Sequence, residues 1–154
     1  MKLNEAAQDN LSKEAAKYGV DPERLVYATR VPRVEDHLAR YRLADLFLDT
    51  FPYNGHTTAG DALCAGIPIV SLCGDSFASR VAASLLHDVG LQQYACSSLK
   101  EYHSTALRMS QQPEELAAFR NHMAEQLSSA KWPHSAATQG QAFAATLAQI
   151  SKES

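Results

Sequence analysis

Along most of the chain the apolar positions recur with a helical period, and they are interrupted by a few short apolar runs of strand length. Leu3, Ala7, Leu11, Ala15 and Tyr18 share one helical stripe, with Gly19 at the C′ position, and predict a first helix. Asp21-Pro22-Glu23 turns the chain into Leu25 to Thr29, where the β-formers Val26 and Tyr27 predict a short strand. Arg30 to Arg33 reads as the loop at its end, and a helix from Val34 to Arg42 follows with a thin apolar seam, Leu38 and Leu43. Leu46, Phe47 and Leu48, bounded by Asp49 and a Phe51-Pro52-Tyr53-Asn54-Gly55 turn, predict a buried strand. Thr57 or Thr58 can cap the next helix, which carries Ala59, Ala62, Leu63 and Ala65 and is stopped by Gly66 and Pro68 before a strand from Ile67 to Leu72. After Cys73-Gly74-Asp75-Ser76, a helix capped by Asp75 or Ser76 should bury Phe77, Val81, Leu85 and Val89.

Three further helices are expected. Their stripes are Leu99, Tyr102, Ala106 and Met109; Leu116, Phe119, Met123 and Leu127; and Phe143, Leu147 and Ile150. Pro113 starts the middle one, and Trp132-Pro133-His134 breaks the chain before the last. Strands alternating with helices predict an α/β fold, a small parallel sheet of at least three strands with helices on both faces, followed by a helical tail. The expected organisation is a single domain over 1–154, with an α/β part at 1–96 and the tail at 97–154. A doubly wound fold uses a helix like the first one as a crossover between parallel strands, so one strand is expected to precede this chain.

The loop between Phe51 and Asp61 concentrates the candidate chemistry. Gly55 allows backbone to come close to a ligand, and His56, Thr57 and Thr58 stand at a helix start, where free N–H groups and the helix dipole favour an anion such as phosphate. Asp61 lies one turn beyond Thr57 on the same face, where its carboxylate can accept hydrogen bonds from sugar hydroxyls. Ligands of open α/β sheets bind at such carboxyl ends of strands. The same residues also read as two helix caps, a loop histidine and a solvated helix charge. His37 and Arg40, three apart on the preceding helix, could face one ligand, an aromatic base, or belong to a solvated charged face. Arg80 is open to three roles: pairing with an acid, serving a phosphate, or meeting a partner lobe.

Composition narrows the classes. The 154 residues are 45% hydrophobic and 20% charged, enough for an ordinary core, and a net charge of −3 gives no general basis for holding nucleic acid. Cys64, Cys73 and Cys96 are odd in number and widely spaced, which fits reduced thiols. His87, His103, His122 and His134 lack metal-ligand spacing, so no metal is expected. With no long apolar run and no leader-like segment, the expected location is the cytoplasm, away from any membrane.

The text FLDTFPYNGHTTAGDALCAGIPIV, with EDHLARYRLAD before it and GDSFASRVAASLL after it, resembles the C-terminal catalytic half of the O-linked N-acetylglucosamine (O-GlcNAc) transferase family, especially its bacterial members. The resemblance is strong from Asp21 to Leu91 and looser in the later helices. It implies the Rossmann-like C-terminal lobe of a GT-B glycosyltransferase. The implied activity is inverting transfer of N-acetylglucosamine from UDP-GlcNAc to Ser or Thr hydroxyls of proteins, without a metal. By the same resemblance, His56, Thr57 and Thr58 would hold diphosphate, Asp61 the ribose, and His37 and Arg40 the uracil. The family's N-terminal lobe, its phosphate-binding lysine and its tetratricopeptide repeats, which meet the protein acceptor, match nothing in this sequence, so these residues alone are expected to be inactive. Val34 replaces a basic residue of the family, with Arg33 adjacent, and Cys64 stands where the family often has Trp. Two alternatives remain open: a non-catalytic nucleotide-binding or interaction module, and a glycosyltransferase of the same architecture using another nucleotide sugar.

Overall fold

The structure, a computed structural model, describes residues 4–129 together with Gln141 and Ala144. The chain divides into two compact units, Met1–His37 and Leu38–Ser154. The third predicted helical stripe, Phe143, Leu147 and Ile150, and the break at Trp132-Pro133-His134 lie outside the described residues.

In the first unit, helix α1 (Glu5–Lys17) starts on Asn4, whose side chain accepts from the Ala7 N–H at 2.7 Å. It ends on Gly19 at φ +75, with the Gly19 and Val20 N–H groups returning to the carbonyls of Ala16 and Ala15 at 3.0 Å each. That pairing is the usual way a left-handed glycine satisfies the last carbonyls of a helix. A single 3-10 turn at Pro22–Arg24 follows, capped by Asp21. The predicted strand at Leu25 to Thr29 is not formed. Its β-formers pair with no neighbouring strand among the described residues: Val26 is 89% exposed, and the Tyr27 hydroxyl donates to the Gln8 carbonyl of α1 at 3.2 Å. A strand exists only as part of a ladder, so propensity alone does not make one here. Helix α2 (Val34–Tyr41) begins in this unit and ends in the next.

The second unit holds the sheet. Strand β1 (Phe47–Leu48) leads to helix α3 (Thr57–Cys64), strand β2 (Ile69–Leu72), a 3-10 turn at Phe77–Ser79 and helix α4 (Val81–Asp88). A 3-10 turn at Gln92–Tyr94 then leads to strand β3 (Ala95–Cys96), followed by helices α5 (Leu99–Gln111) and α6 (Pro113–Ser128). The strands are parallel in the order β1-β2-β3, with Phe47 beside Ile69 and Leu72 beside Cys96. Each neighbouring pair is joined by a helical crossover, as parallel strands require. The third strand is therefore Ala95–Cys96, whose two residues are too few to carry a readable alternation.

Helices α3 and α4 pack on β2 and on each other, while α5 packs on β2 and β3 and against α6. The core that results contains Leu63, Ile69, Val70, Leu86, Met109, Phe119 and Met123, each at most 1% exposed. Burying a side chain of this kind contributes about 1.5–3 kcal/mol. The buried face of α4 differs from the sequence expectation. Val89 is buried as expected, but the rest of the buried face is Ala82 and Leu86, whereas Phe77 is 76% exposed and Val81 and Leu85 are half-buried. Phe77 lies in the separate 3-10 turn Phe77–Ser79, with three residues per turn, and so does not continue the α-helical stripe of α4.

Candidate functional site

The carboxyl end of β1 runs into a loop held by its own polar groups. Asp49, 2% exposed, accepts through Oδ1 from the N–H groups of Thr50 at 2.9 Å and Gly55 at 2.6 Å. Its Oδ2 accepts from the Ser71 hydroxyl of β2 at 2.6 Å. Asn54, 1% exposed, donates through Nδ2 to the carbonyls of Thr50 at 3.0 Å and Leu72 at 3.2 Å, and its N–H donates to the Ala78 carbonyl at 2.9 Å. The Asn54 Oδ1 has no partner among the described residues. These bonds tie the loop to β2 and to the turn before α4, so the start of α3 has a fixed place above the strand ends.

Gly55 is required there by crowding. A Cβ built on it would lie 2.5 Å from Thr58 Oγ1 and 3.1 Å from Asp49 Oδ1. His56 follows at the N-cap of α3 with no side-chain capping bond. Its imidazole stacks on Tyr53 at 4.8 Å between centroids and 18° between planes, and the Phe77 ring meets it edge-on at 6.0 Å. In the tautomer protonated at Nε2, it donates to the Ala78 carbonyl at 3.4 Å.

Neither Thr57 nor Thr58 is the cap expected from the sequence; both lie inside the first turn with exposed side chains. The cap position went to His56 because Gly55 is drawn down to Asp49 and the helix begins one residue after the histidine. The first N–H groups of α3 have no intrahelical partner, as in any helix, and those of Thr57, Thr58 and Ala59 meet no backbone carbonyl among the described residues. The turn thus presents free donors and two hydroxyls together, an arrangement suited to an oxyanion.

Asp61 is half-buried one turn further along. Burial, helped by the Asp61 charge and opposed by the Arg40 charge, pushes the Tyr41 phenol above its ordinary pKa, and burial followed by the Asp61 charge does the same to the Cys64 thiol. The Tyr41 hydroxyl donates to the Thr58 carbonyl at 3.3 Å, which ties the last residue of α2 to the helix that carries the candidate site. Of the six residues singled out from sequence, the structure brings His56, Thr57, Thr58 and Asp61 together on the first turns of α3. Arg40 belongs to the same unit, on α2, while His37 is the last residue of the first unit.

Two clefts open near this group, and none of its four residues lines either of them. One of about 520 Å³, mostly apolar, is lined by Cys73, Phe77, Arg80, Val81 and Leu85. Arg80 is exposed at its edge and makes no ion pair among the described residues. Another, of about 370 Å³, opens at the carboxyl ends of β2 and β3 between Phe51, Gly74, Ser76 and Ser98. Among the described residues, no group of three His, Cys, Asp or Glu could hold a metal ion, and no helix is long and apolar enough to cross a membrane.

Asp49, Asn54, Ser71 and Tyr41 escaped the sequence reading. A polar residue directly after an apolar strand and an Asn before Gly were the available signals, but neither distinguishes a buried anchor from a turn residue.

Residues 1–136 match the model of the family described as Glycosyl transferase family 41. A UDP-N-acetylglucosamine--peptide N-acetylglucosaminyltransferase of Caenorhabditis elegans is 38% identical over 113 residues, which is 73% of this chain and 10% of the relative. A SPINDLY protein of Oryza sativa subsp. japonica is 40% identical over 92 residues, 60% of this chain and 10% of the relative. Among solved structures, the K341M mutant of Thermobaculum terrenum O-GlcNAc transferase superposes with a TM-score of 0.80 at 34% identity, covering 91% of this chain and 27% of that one. The chain thus spans about a tenth of the length of the curated relatives it matches. A three-stranded parallel sheet, the NGHTT turn at the end of its first strand, and this likeness in both sequence and backbone agree: the chain belongs to glycosyl transferase family 41, as part of the C-terminal catalytic lobe of the O-GlcNAc transferase kind.

Proposed function

We propose that this chain is the donor-binding part of a protein O-GlcNAc transferase, taking UDP-GlcNAc as the donor for Ser or Thr hydroxyls of protein acceptors. Thr57 and Thr58, with His56 beside them, hold the diphosphate; Asp61 holds the ribose hydroxyls; His37 and Arg40 take the uracil. The observation that carries this reading is the start of α3, where unpartnered N–H groups and the exposed Thr57 and Thr58 stand at the end of β1 in a chain of this family.

In chemical terms the leaving group is UDP, and negative charge grows on its diphosphate as the bond from the anomeric carbon of the sugar to the diphosphate oxygen breaks, while the acceptor hydroxyl oxygen bonds to that carbon and gives up its proton. Fixed N–H dipoles, hydroxyls and the positive end of a helix stabilise that charge with little reorganisation, and stabilisation of this kind supplies much of the rate enhancement in many transfer reactions. No divalent ion is needed for this, and turnover requires the remainder of a full-length transferase, which supplies the acceptor side. The cytoplasm is the proposed location.

Calorimetric titration of the chain with UDP, UDP-GlcNAc, ADP and GDP tests the reading. UDP and UDP-GlcNAc should bind and the two purine nucleotides should not, with the same affinity in EDTA as in Mg²⁺. Equal binding of ADP or GDP would remove the uracil contacts, and loss of UDP binding in EDTA would remove the metal-free arrangement. A full-length version that binds UDP yet never releases it from UDP-GlcNAc in the presence of acceptor would leave a nucleotide-binding module in place of an enzyme.

A further inference from the structure

We propose that Asp49 is a positioning residue for the diphosphate half of the site, and that the Gly55 N–H is committed to Asp49 and not to the ligand. This rests on the reading of Thr57 and Thr58 as phosphate contacts.

The geometry has three parts. Asp49 directly follows β1 and is almost fully buried, and its two oxygens take up three donors. Two of these, the N–H groups of Thr50 and Gly55, come from the two ends of the loop; the third, the Ser71 hydroxyl, comes from β2. A buried carboxylate is costly unless such donors satisfy it, so the bonds hold the loop in one shape as well as stabilising the charge. The shortest backbone bond of the set, at 2.6 Å, is the one to Gly55, immediately before the residue at the N-cap of α3.

Charge alone argues against this placement. A carboxylate near an anion site opposes the anion, so a residue chosen only for electrostatics would not be acidic. What an aspartate supplies is a compact acceptor able to receive two N–H groups on one oxygen and a hydroxyl on the other. With Gly55 turned inward, the donors left for an oxyanion are the N–H groups of His56, Thr57, Thr58 and Ala59 and the two threonine hydroxyls. Gly55 therefore serves by lacking a side chain, which lets Thr58 Oγ1 come close, and its own N–H faces the protein.

The test compares UDP with uridine on the 154-residue chain by calorimetry. Asp49→Asn keeps an oxygen for Thr50 and Gly55 and points its amide at Ser71, whose hydroxyl accepts; its UDP affinity should stay within about threefold of the parent, since the hydrogen-bond count is preserved. Asp49→Ala removes all three bonds and should lower UDP affinity about tenfold or more while changing uridine by less than about threefold, a difference on the scale of one charged hydrogen bond. Circular dichroism checks that each variant is folded. Should Asp49→Ala fail to fold, amide NMR of the parent decides: on adding UDP, the Thr57, Thr58 and Ala59 amides should shift strongly and the Gly55 amide least of the four. Equal weakening of UDP and uridine by Asp49→Ala, an Asp49→Asn variant as weak as Asp49→Ala, or a Gly55 amide that shifts most would each overturn the role assigned to Asp49. A parent chain that binds no UDP removes the proposed function itself, and this role with it. A parent that binds UDP, with its preference over uridine unchanged in Asp49→Ala, removes the role of Asp49 alone.

Discussion

The Tyr102 hydroxyl of α5 donates to the backbone carbonyl of Asp49 at 2.9 Å, across 53 residues of sequence. Beside it, the Phe51 ring meets the Tyr102 ring edge-on at 5.8 Å. The loop after β1 is thus held from both sides: Ser71 binds the Asp49 side chain, and Tyr102 binds its main chain. Burial, with the Asp49 and Cys96 charges as smaller causes, raises the Tyr102 phenol to about 12. Because the folded value lies above the ordinary tyrosine value, the neutral phenol's contribution is complete below pH about 10 and is lost as pH rises through about 12. Tyr102→Phe should cost about 0.5–1.5 kcal/mol at neutral pH, the net worth of one hydrogen bond. Urea denaturation measures this, and the same variant should lose part of the parent's fall in stability between pH 10 and 12.

Gly55→Ala places a methyl group 2.5 Å from Thr58 Oγ1 and 3.1 Å from Asp49 Oδ1. Overpacking of this kind costs about 1–3 kcal/mol, and part of the strain is relieved by turning the Thr58 hydroxyl out of place. The variant should therefore lose UDP affinity as well as stability. A variant of parental stability and affinity would mean that the loop has more room than these distances allow.

Thr58 separates a capping role from a ligand role. The cap position of α3 belongs to His56 and no side chain caps it, so Thr58→Val should lack the penalty of about 1 kcal/mol that follows loss of a cap. Thr58→Ser should bind UDP nearly as the parent does. Thr58→Val should weaken UDP much more than uridine, which has no phosphate to lose. Calorimetry with the two ligands reads the difference directly, and equal weakening of both would return this threonine to a structural role.

For Asp61, the expected cost of Asp61→Ala is about 1.5–3 kcal/mol of UDP binding, the range for a hydrogen bond to a charged group. The ribose assignment is checked with 2′,3′-dideoxy-UDP. The parent should bind it less well than UDP, and the variant should bind the two alike. If the missing hydroxyls cost as much on the variant as on the parent, Asp61 is not their partner.

What could be read from the sequence followed from elements long enough to repeat a pattern. The helices at Glu5–Lys17, Leu99–Gln111 and Pro113–Ser128 carry several turns of apolar stripe and lie where the spacing puts them. The strand-turn-helix around Phe47, Gly55 and Thr57 was legible because an apolar run, a glycine and a small-residue helix occur in the order that a βαβ unit needs. The errors have local causes. Leu25 to Thr29 has strand formers but no ladder, Ala95–Cys96 has a ladder but too little sequence, and a 3-10 turn takes Phe77 out of the stripe of α4. Within the candidate site, Thr57 and Thr58 were picked out by residue type, whereas Asp49, Asn54 and Ser71 are buried, and their roles depend on partners up to 53 residues away. Nothing short-range in the sequence encodes such pairings.

The strand order β1-β2-β3 has a consequence for how the chain is made. Synthesis runs from the N-terminus, and each new strand here pairs with the one that left the ribosome just before it, so the sheet can grow by addition at one edge without waiting for a later segment to insert. The bond from Tyr102 back to Asp49 departs from that order. The loop that carries Gly55 and His56 is made before α5, and it gains its fastening from that helix only after Tyr102 has been added. On a growing chain all three strands therefore precede Tyr102, the residue that fastens the main chain of Asp49 at the start of this loop.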